Sequence, residues 1–376
     1  MIYLDYNATT PIAPEAAAAM RPYLEGRFGN PSSAHRLGVE ARRDVERARA
    51  QVAALLGCDA GEIVFTSGGT EANNFAIKGI AHRRRDRGRH IVTTAIEHPA
   101  VSEVCAFLER EGFSVTYVEV DETGRVDPAQ IERALRPDTI LISVMHANNE
   151  VGTIQPIEEI ARLARERRIA MHSDGAQAVG KIATRMDQLG VDLYSLAGHK
   201  LYAPKGVGAL VVRQGVEPAK LMHGAAHEGN RRAGTENVLE IVGLGVACEI
   251  AQRKLIDHAR HMRAMRDHLQ ELLAEGLPGL RVNGHLLERL PNTLSVSFPN
   301  LQAGTILAAL PNIAASAGAA CHSDGIEISH VLKAMHVPPE AAAGTVRFSV
   351  GRETTAQEIE HAARQVIDVV RGLRGA

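Results

Sequence analysis

The sequence lacks any strong net charge. Its 376 residues carry 42 Lys and Arg against 44 Asp and Glu, a balance of -2, so no long-range field draws it to nucleic acid or an anionic membrane. The one locally basic run, His82-Arg83-Arg84-Arg85-Asp86-Arg87, reads as a solvated helix end. Cysteine is sparse. Cys58, Cys105, Cys248 and Cys321 lie far apart without a CxxC pair, so neither a zinc site nor a disulfide scaffold is expected, and no metal. Reduced thiols of a cytoplasmic protein fit that spacing. No apolar stretch reaches membrane-spanning length. The opening MIYLDYNATTP has no basic segment followed by an apolar run, so no signal peptide is expected. Short repeats and low-complexity segments are also missing. What remains, 45% hydrophobic and 23% charged residues, is ordinary for a soluble globular protein. The length favours two domains, or a large one with a smaller one.

Short apolar runs alternate with helical patterns. Residues 62–66, 90–95, 114–120, 139–146, 169–173, 192–196 and 208–213 read as seven strands. Helical spacing lies between several of them. Val101, Val104, Cys105 and Leu108 recur at i, i+3, i+4 and i+7. A helix over 127–136 has Asp127 as cap and Pro128 in its first turn, and another spans 156–168. Strands separated by helices imply an α/β fold with a mostly parallel seven-stranded sheet, covered on both faces. Residues 237–277 then form one long helical stretch that bridges to a smaller α+β unit. That unit has strands near 294–298 and 345–351 and helices near 303–310 and 329–335. The N-terminal dozen residues pack back onto it.

In a parallel α/β sheet, ligands bind beyond the carboxyl ends of the strands, so the polar residues that follow each strand are the site candidates. Ser67-Gly68-Gly69-Thr70 offers backbone and a helix N-terminus to an anion, and serves equally well as an ordinary turn with Thr70 as cap. Lys200, after a strand and beside His199, is placed to form a Schiff base once its amine is uncharged; Lys205 is its rival. Asp174 suits the protonated pyridine nitrogen of a cofactor, or caps a helix. Gln177 would lie near the same face. His98 can stack on a flat ring and move protons, or simply open a helix. Asn148 is a donor or a turn residue. Arg347 has the two-pronged geometry for a carboxylate, with Arg352 structural or solvated. Cys321 lies among small residues that predict a mobile loop, where a nucleophilic thiol could reach substrate and then present its cargo. The other three cysteines read as core.

LDYNATTP (4–11), GNPSSAH (29–35), SGGTEANN (67–74), EHPAV (97–101), HANNEVGT (146–153), DGAQAVGK (174–181), GHK (198–200), RRAGTEN (231–237), GAAC (318–321), SHVLKAM (329–335) and VRFSVGR (346–352) together resemble the cysteine desulfurases. These are pyridoxal-phosphate (PLP) enzymes of the class V aminotransferase group, with selenocysteine lyases as close relatives. The resemblance implies a fold-type I homodimer in which Lys200 holds PLP, His98 stacks on its ring, Asp174 pairs with the ring nitrogen and Gln177 with the ring oxygen. Gly69, Thr70 and His199 match the phosphate cradle, and Thr235 matches a phosphate ligand supplied by the other subunit. Asn148 and Arg347 match contacts to the substrate carboxylate. Cys321 matches the cysteine that takes sulfur from L-cysteine as a persulfide, leaving L-alanine. A sulfur-acceptor protein, such as an iron–sulfur scaffold or a sulfur carrier, would then receive it for cluster assembly or tRNA thiolation. The expected division is residues 15–258 as the PLP-binding domain, and 1–14 with 259–376 as a smaller one carrying the cysteine segment.

Two departures stand out. Ala197 precedes GHK where the family often has Ser, and GAAHE (224–228) has His227 where the family pattern has Gln. Selenocysteine lyase remains an alternative, since these relatives share GAACHSD-like features. A non-catalytic scaffold for sulfur carriers is the reading from another class, and it would not need Lys200 or Asp174. A dinucleotide-binding dehydrogenase is disfavoured, because SGGT is not GxGxxG.

Overall fold

A computed structural model describes residues 1–322 and 325–375; for 319–322 and 325–327 it describes the backbone only. A two-residue strand, β1 (Ile2–Tyr3), begins the chain. The main sheet follows: β2 (Ile63–Thr66), β3 (His90–Thr94), β4 (Ser114–Val118), β5 (Thr139–Ser143), β6 (Ala170–Asp174), β7 (Leu193–Ala197) and β8 (Gly208–Val212). These are the seven expected strands, in the order β2-β8-β7-β6-β5-β3-β4. Only β8 runs against its neighbours. Strands β3, β5, β6, β7 and β8 are buried along their whole length. A strand covered on both faces must be apolar on both, which is why these segments read as continuous apolar runs. Each fully buried Ile or Val contributes roughly 1.5–3 kcal/mol.

Helices cover the sheet. Asp127 caps Pro128–Ala134 as expected, its side chain accepting from the Ala129 N–H. Three long helices lie outside the expected elements, Pro14–Glu25, Arg36–Leu56 and Ala356–Gly375, as do the short Met186–Leu189 and Pro339–Ala342. The long helix is Val238–Gly276, 39 residues and roughly 58 Å at 1.5 Å per residue. Its first half puts Ile241, Leu244, Cys248 and Ala251 into the core beneath the sheet. Its second half puts Met262, Leu269 and Leu273 into a separate cluster with Val296, Phe348 and Val366.

That second cluster packs on a sheet of β9 (Arg281–Asn283), β10 (Thr293–Ser297), β12 (Ser316–Ala317) and β15 (Thr345–Ser349), ordered β12-β15-β10-β9. Strand β11 (Ile313–Ala314) pairs with β1, and Asp5 bridges to Ser349, so the N-terminus does fold back here. Leu4 is fully buried in the same cluster. Residues 319–322 and 325–328 differ from the expected loop. Their backbone pairs as two short antiparallel strands, β13 (Ala319–His322) with β14 (Gly325–Ile328), and Cys321 stands opposite Ile326. The Cys321 side chain lies outside the described residues. No helix among the described residues is long and apolar enough to cross a membrane.

Candidate active site

A cavity of about 330 Å³ opens at the carboxyl ends of the parallel strands. The turn after β2 supplies Gly69 and Thr70 at the N-terminus of helix Gly69–Arg84. Gly68 takes φ 151°, ψ -178°, a conformation essentially restricted to glycine, and this lets the chain turn straight from strand to helix. The first N–H groups of such a helix have no partner within it and favour an anion. A Cβ placed on Gly69 would meet the Ala197 methyl at 3.2 Å, so helix and β7 approach closely.

Asp174 ends β6. One carboxylate oxygen accepts from Asn73 Nδ2 at 2.7 Å and the other from the Ala176 N–H at 2.9 Å, an arrangement that fixes the carboxylate in the cavity wall. Asn73 Oδ1 is buried without a partner among the described residues. Lys200 sits in a 3₁₀ turn after β7. Its Nζ donates to the main-chain oxygens of Asn7 and, at 2.8 Å, Ala8. Burial, with Arg347 nearby, brings its pKa down to about 8, which raises the share of neutral, nucleophilic amine. Lys205 is exposed and does not line the cavity.

His98 ends the turn after β3 and caps helix Pro99–Arg110, its Nδ1 accepting from the Ala100 N–H at 3.0 Å. That bond leaves Nε2 to carry the proton of the neutral ring. Burial lowers the His98 pKa, with Asp174 opposing and Lys200 assisting. Beneath it, Glu97 is buried and accepts from Thr94 Oγ1 at 2.6 Å and the Met145 N–H at 2.9 Å, tying the ends of β3 and β5 together. Burial pushes its carboxyl up to about 8. His199 is held by Thr9 Oγ1 at 3.2 Å, and burial with three nearby lysines brings it down to about 4. It therefore faces the cavity as a neutral ring.

Gln177 lines the cavity and donates to the Asn7 carbonyl at 3.0 Å. Arg347 also lines it. Its Nη1 donates to the Asn149 carbonyl, and its Nη2 donates to Asp5 Oδ1 at 2.8 Å and Ser316 Oγ at 3.0 Å. Its Nε is buried without an acceptor among the described residues. Arg352 instead stacks on Tyr202 at 4.1 Å, a structural position.

The expected role of Asn148 needs correcting. Asn148 is fully buried, and its amide is consumed by the protein itself. It donates to the Ile96 carbonyl at 3.1 Å and accepts from the Glu150 and Val151 N–H groups at 2.9 and 3.0 Å. Its neighbour Asn149 lines the cavity instead. Thr235 does not reach this cavity within the chain; it is exposed, on the wall of a second pocket beside Ser67 and Gly206. Its loop is tied to the phosphate-side turn by Arg232, which binds Glu71 at 2.8 and 3.1 Å. Cys105 and Cys248 are buried, and Cys58 is half-buried at the core edge rather than inside it. Burial pushes all three thiols up, Cys58 and Cys105 to about 12, so none is a ready nucleophile.

Two site residues carried no signal as single residues. Asn7 is 1% exposed. Its carbonyl accepts from both Lys200 and Gln177, and its side chain bonds the Asn149 carbonyl, Thr293 and Asn292. Asn73 orients Asp174 from inside a helix. The polar run Asp5–Thr10 and the doubled Asn73-Asn74 are the only hints.

These residues suit PLP. A helix N-terminus with Thr70 and His199 would take a phosphate, Asp174 a ring-nitrogen proton and Lys200 an aldehyde. His98 offers an aromatic face, and the buried amide of Asn73 holds the carboxylate in place.

The comparisons agree with this chemistry. Residues 2–361 match the family model for aminotransferase class-V. A cysteine desulfurase IscS of Dictyoglomus turgidum is 45% identical over 375 residues, covering 99% of this chain and 95% of that protein. A solved NifS-like protein superposes with a TM-score of 0.93 at 38% identity, covering 98% of this chain and 99% of the other. Another, described as SspA in complex with cysteine, gives a TM-score of 0.82 at 36% identity, covering 94% and 100%. The chain thus belongs to the cysteine desulfurases, PLP enzymes of the class V aminotransferase family.

Proposed function

We propose that the chain removes sulfur from L-cysteine and leaves L-alanine, with Cys321 as the sulfur acceptor. The observation that carries this reading is the meeting, in one cavity, of a weakly basic lysine, a fixed carboxylate, a neutral imidazole and a helix N-terminus. Bound PLP would supply an aldehyde that condenses with amines and a ring that draws negative charge from the substrate Cα. The chain's residues do the rest. Thr70, His199 and the backbone at Gly69 hold the phosphate. Asp174 keeps a proton on the ring nitrogen. Arg347 and Asn149 hold the substrate carboxylate. Lys200, with its amine free, would move the proton from Cα. His98 would exchange protons with the substrate thiol through Nε2. The Cys321 thiolate attacks the substrate sulfur, the carbon–sulfur bond breaks, and a proton completes the alanine methyl. Cysteine and enzyme thiol thus become alanine and enzyme persulfide, with atoms and electrons balanced.

A second copy of the chain would bring Thr235 to this phosphate, so the working form is a homodimer. An acceptor protein of iron–sulfur assembly or tRNA thiolation would collect the sulfur. The test is an absorbance spectrum followed by addition of L-cysteine with a dithiol reductant, which frees the persulfide sulfur as sulfide. A visible band lost in Lys200→Ala, with alanine and sulfide released in equal amounts, is the expected result. Full turnover by Cys321→Ser would refute the sulfur-acceptor role. A protein that cannot be reconstituted with PLP would overturn the whole reading.

A further inference from the structure

Among the described residues, Lys181 is a buried lysine without an acid partner. It is 5% exposed, and the charged groups acting on it are two further cations, Lys200 and Arg347. An ammonium in such a place must be satisfied by hydrogen-bond acceptors. It has two, both from Gln177: the main-chain oxygen at 3.0 Å and the side-chain Oε1 at 3.1 Å. As an ammonium, lysine only donates, so this second bond, together with the bond to the Asn7 carbonyl, which only accepts, sets which way the Gln177 amide faces. Oε1 turns to Lys181, and the NH₂ group turns the other way. One of its N–H bonds goes to the Asn7 carbonyl. Gln177 lines the active cavity, and what it presents there is a donor.

Lys181 itself does not line that cavity. It lines a separate void of about 20 Å³ behind it, with Lys200 in the wall between. It therefore has no direct route to substrate or cofactor.

We propose that Lys181 is a positioning residue: by holding Gln177 Oε1, it makes the amide present an N–H, rather than a carbonyl, to the ring oxygen of the cofactor. Without it the amide can turn over. It would then set oxygen against the anionic ring oxygen and against the Asn7 carbonyl. This inference rests on Gln177 being the ring-oxygen donor.

The test is a double-mutant cycle of wild type, Lys181→Met, Gln177→Leu and the double variant. The readout is the dissociation constant for PLP, from absorbance titration of the cofactor-free proteins. Each single variant should weaken binding by roughly tenfold, the scale of one lost or reversed polar contact. If Lys181 acts through Gln177, the two effects do not add, and the double variant should bind within about twofold of Gln177→Leu. A Lys181→Met effect of equal size in both backgrounds, or none in either, would overturn the proposal. Should Lys181→Met not fold, Lys181→Arg keeps a donor: affinity within about threefold of wild type supports the proposal, and a tenfold loss overturns it. A wild type that takes up no PLP would instead sink the underlying cofactor reading.

Discussion

Asn148 and Asn149 are adjacent and chemically identical, yet the structure gives them opposite work. In Asn148→Ala, the Ile96 carbonyl and the Glu150 and Val151 N–H groups lose their partner. A buried polar group left unsatisfied costs roughly 1–3 kcal/mol. Glu150 is only half-buried, so water recovers part of its share, and the sum comes to about 2–4 kcal/mol. At about 2 °C per kcal/mol for a domain of this size, the melting temperature should fall by about 4–8 °C. Asn149→Ala removes a side chain from the cavity wall, but keeps the main-chain carbonyl that receives Asn7 and Arg347. Its melting temperature should stay within about 1 °C of wild type, while kcat/KM for cysteine drops by about tenfold, one lost hydrogen bond to a charged group. Thermal melts of the cofactor-loaded proteins and alanine-release kinetics separate the two. If Asn148→Ala melted like wild type yet lost turnover, while Asn149→Ala was neutral, the assignment would be reversed.

Two pH effects follow from the site. Lys200 must be neutral to condense with PLP, and its pKa stands near 8. Cofactor capture by the apo-protein should accelerate as pH rises through about 8 and then level off; a midpoint at the ordinary 10.5 would contradict the burial effect. Glu97 keeps its proton in the folded state up to about 8, against an ordinary 4.5. Between those values the folded state binds more protons than the unfolded one, so its contribution declines as pH rises through that window and is lost above it. Glu97→Gln should flatten the fall of melting temperature between about pH 5 and 8, and parallel curves for the two proteins would rule this out.

The sheet was readable in the sequence because its inner strands are buried on both faces, so apolar runs such as 139–143 mark them directly. The helices that escaped lack a clean stripe. In Pro14–Glu25 only Ala16 is buried. In Arg36–Leu56 the buried face carries Asp44 and Arg49, with Arg49 paired to Glu228 at 2.7 and 2.8 Å. Lys200, Asp174 and His98 were findable because each lies at or just past the carboxyl end of a strand. Asn7 was not, since its partners lie up to 342 residues away. The two asparagines of HANNE could not be told apart, because which one turns inward depends on a turn whose hydrogen bonds only the fold supplies. The Gly/Ala-rich approach to Cys321 has no apolar period, so its paired strands left no trace.

The bond between the Asn7 N–H and Ser349 Oγ, and the ion pair between Asp5 and Arg347, each close a loop of 342 residues. The ribosome delivers the first of these partners almost at once and the second only near the end. The carbonyl that steadies Lys200 and Gln177 therefore cannot be seated until nearly the whole chain has been made. With Lys200 as the cofactor lysine, tight PLP binding is expected late in biogenesis, so that cofactor absorbance would mark completed chains rather than partial ones.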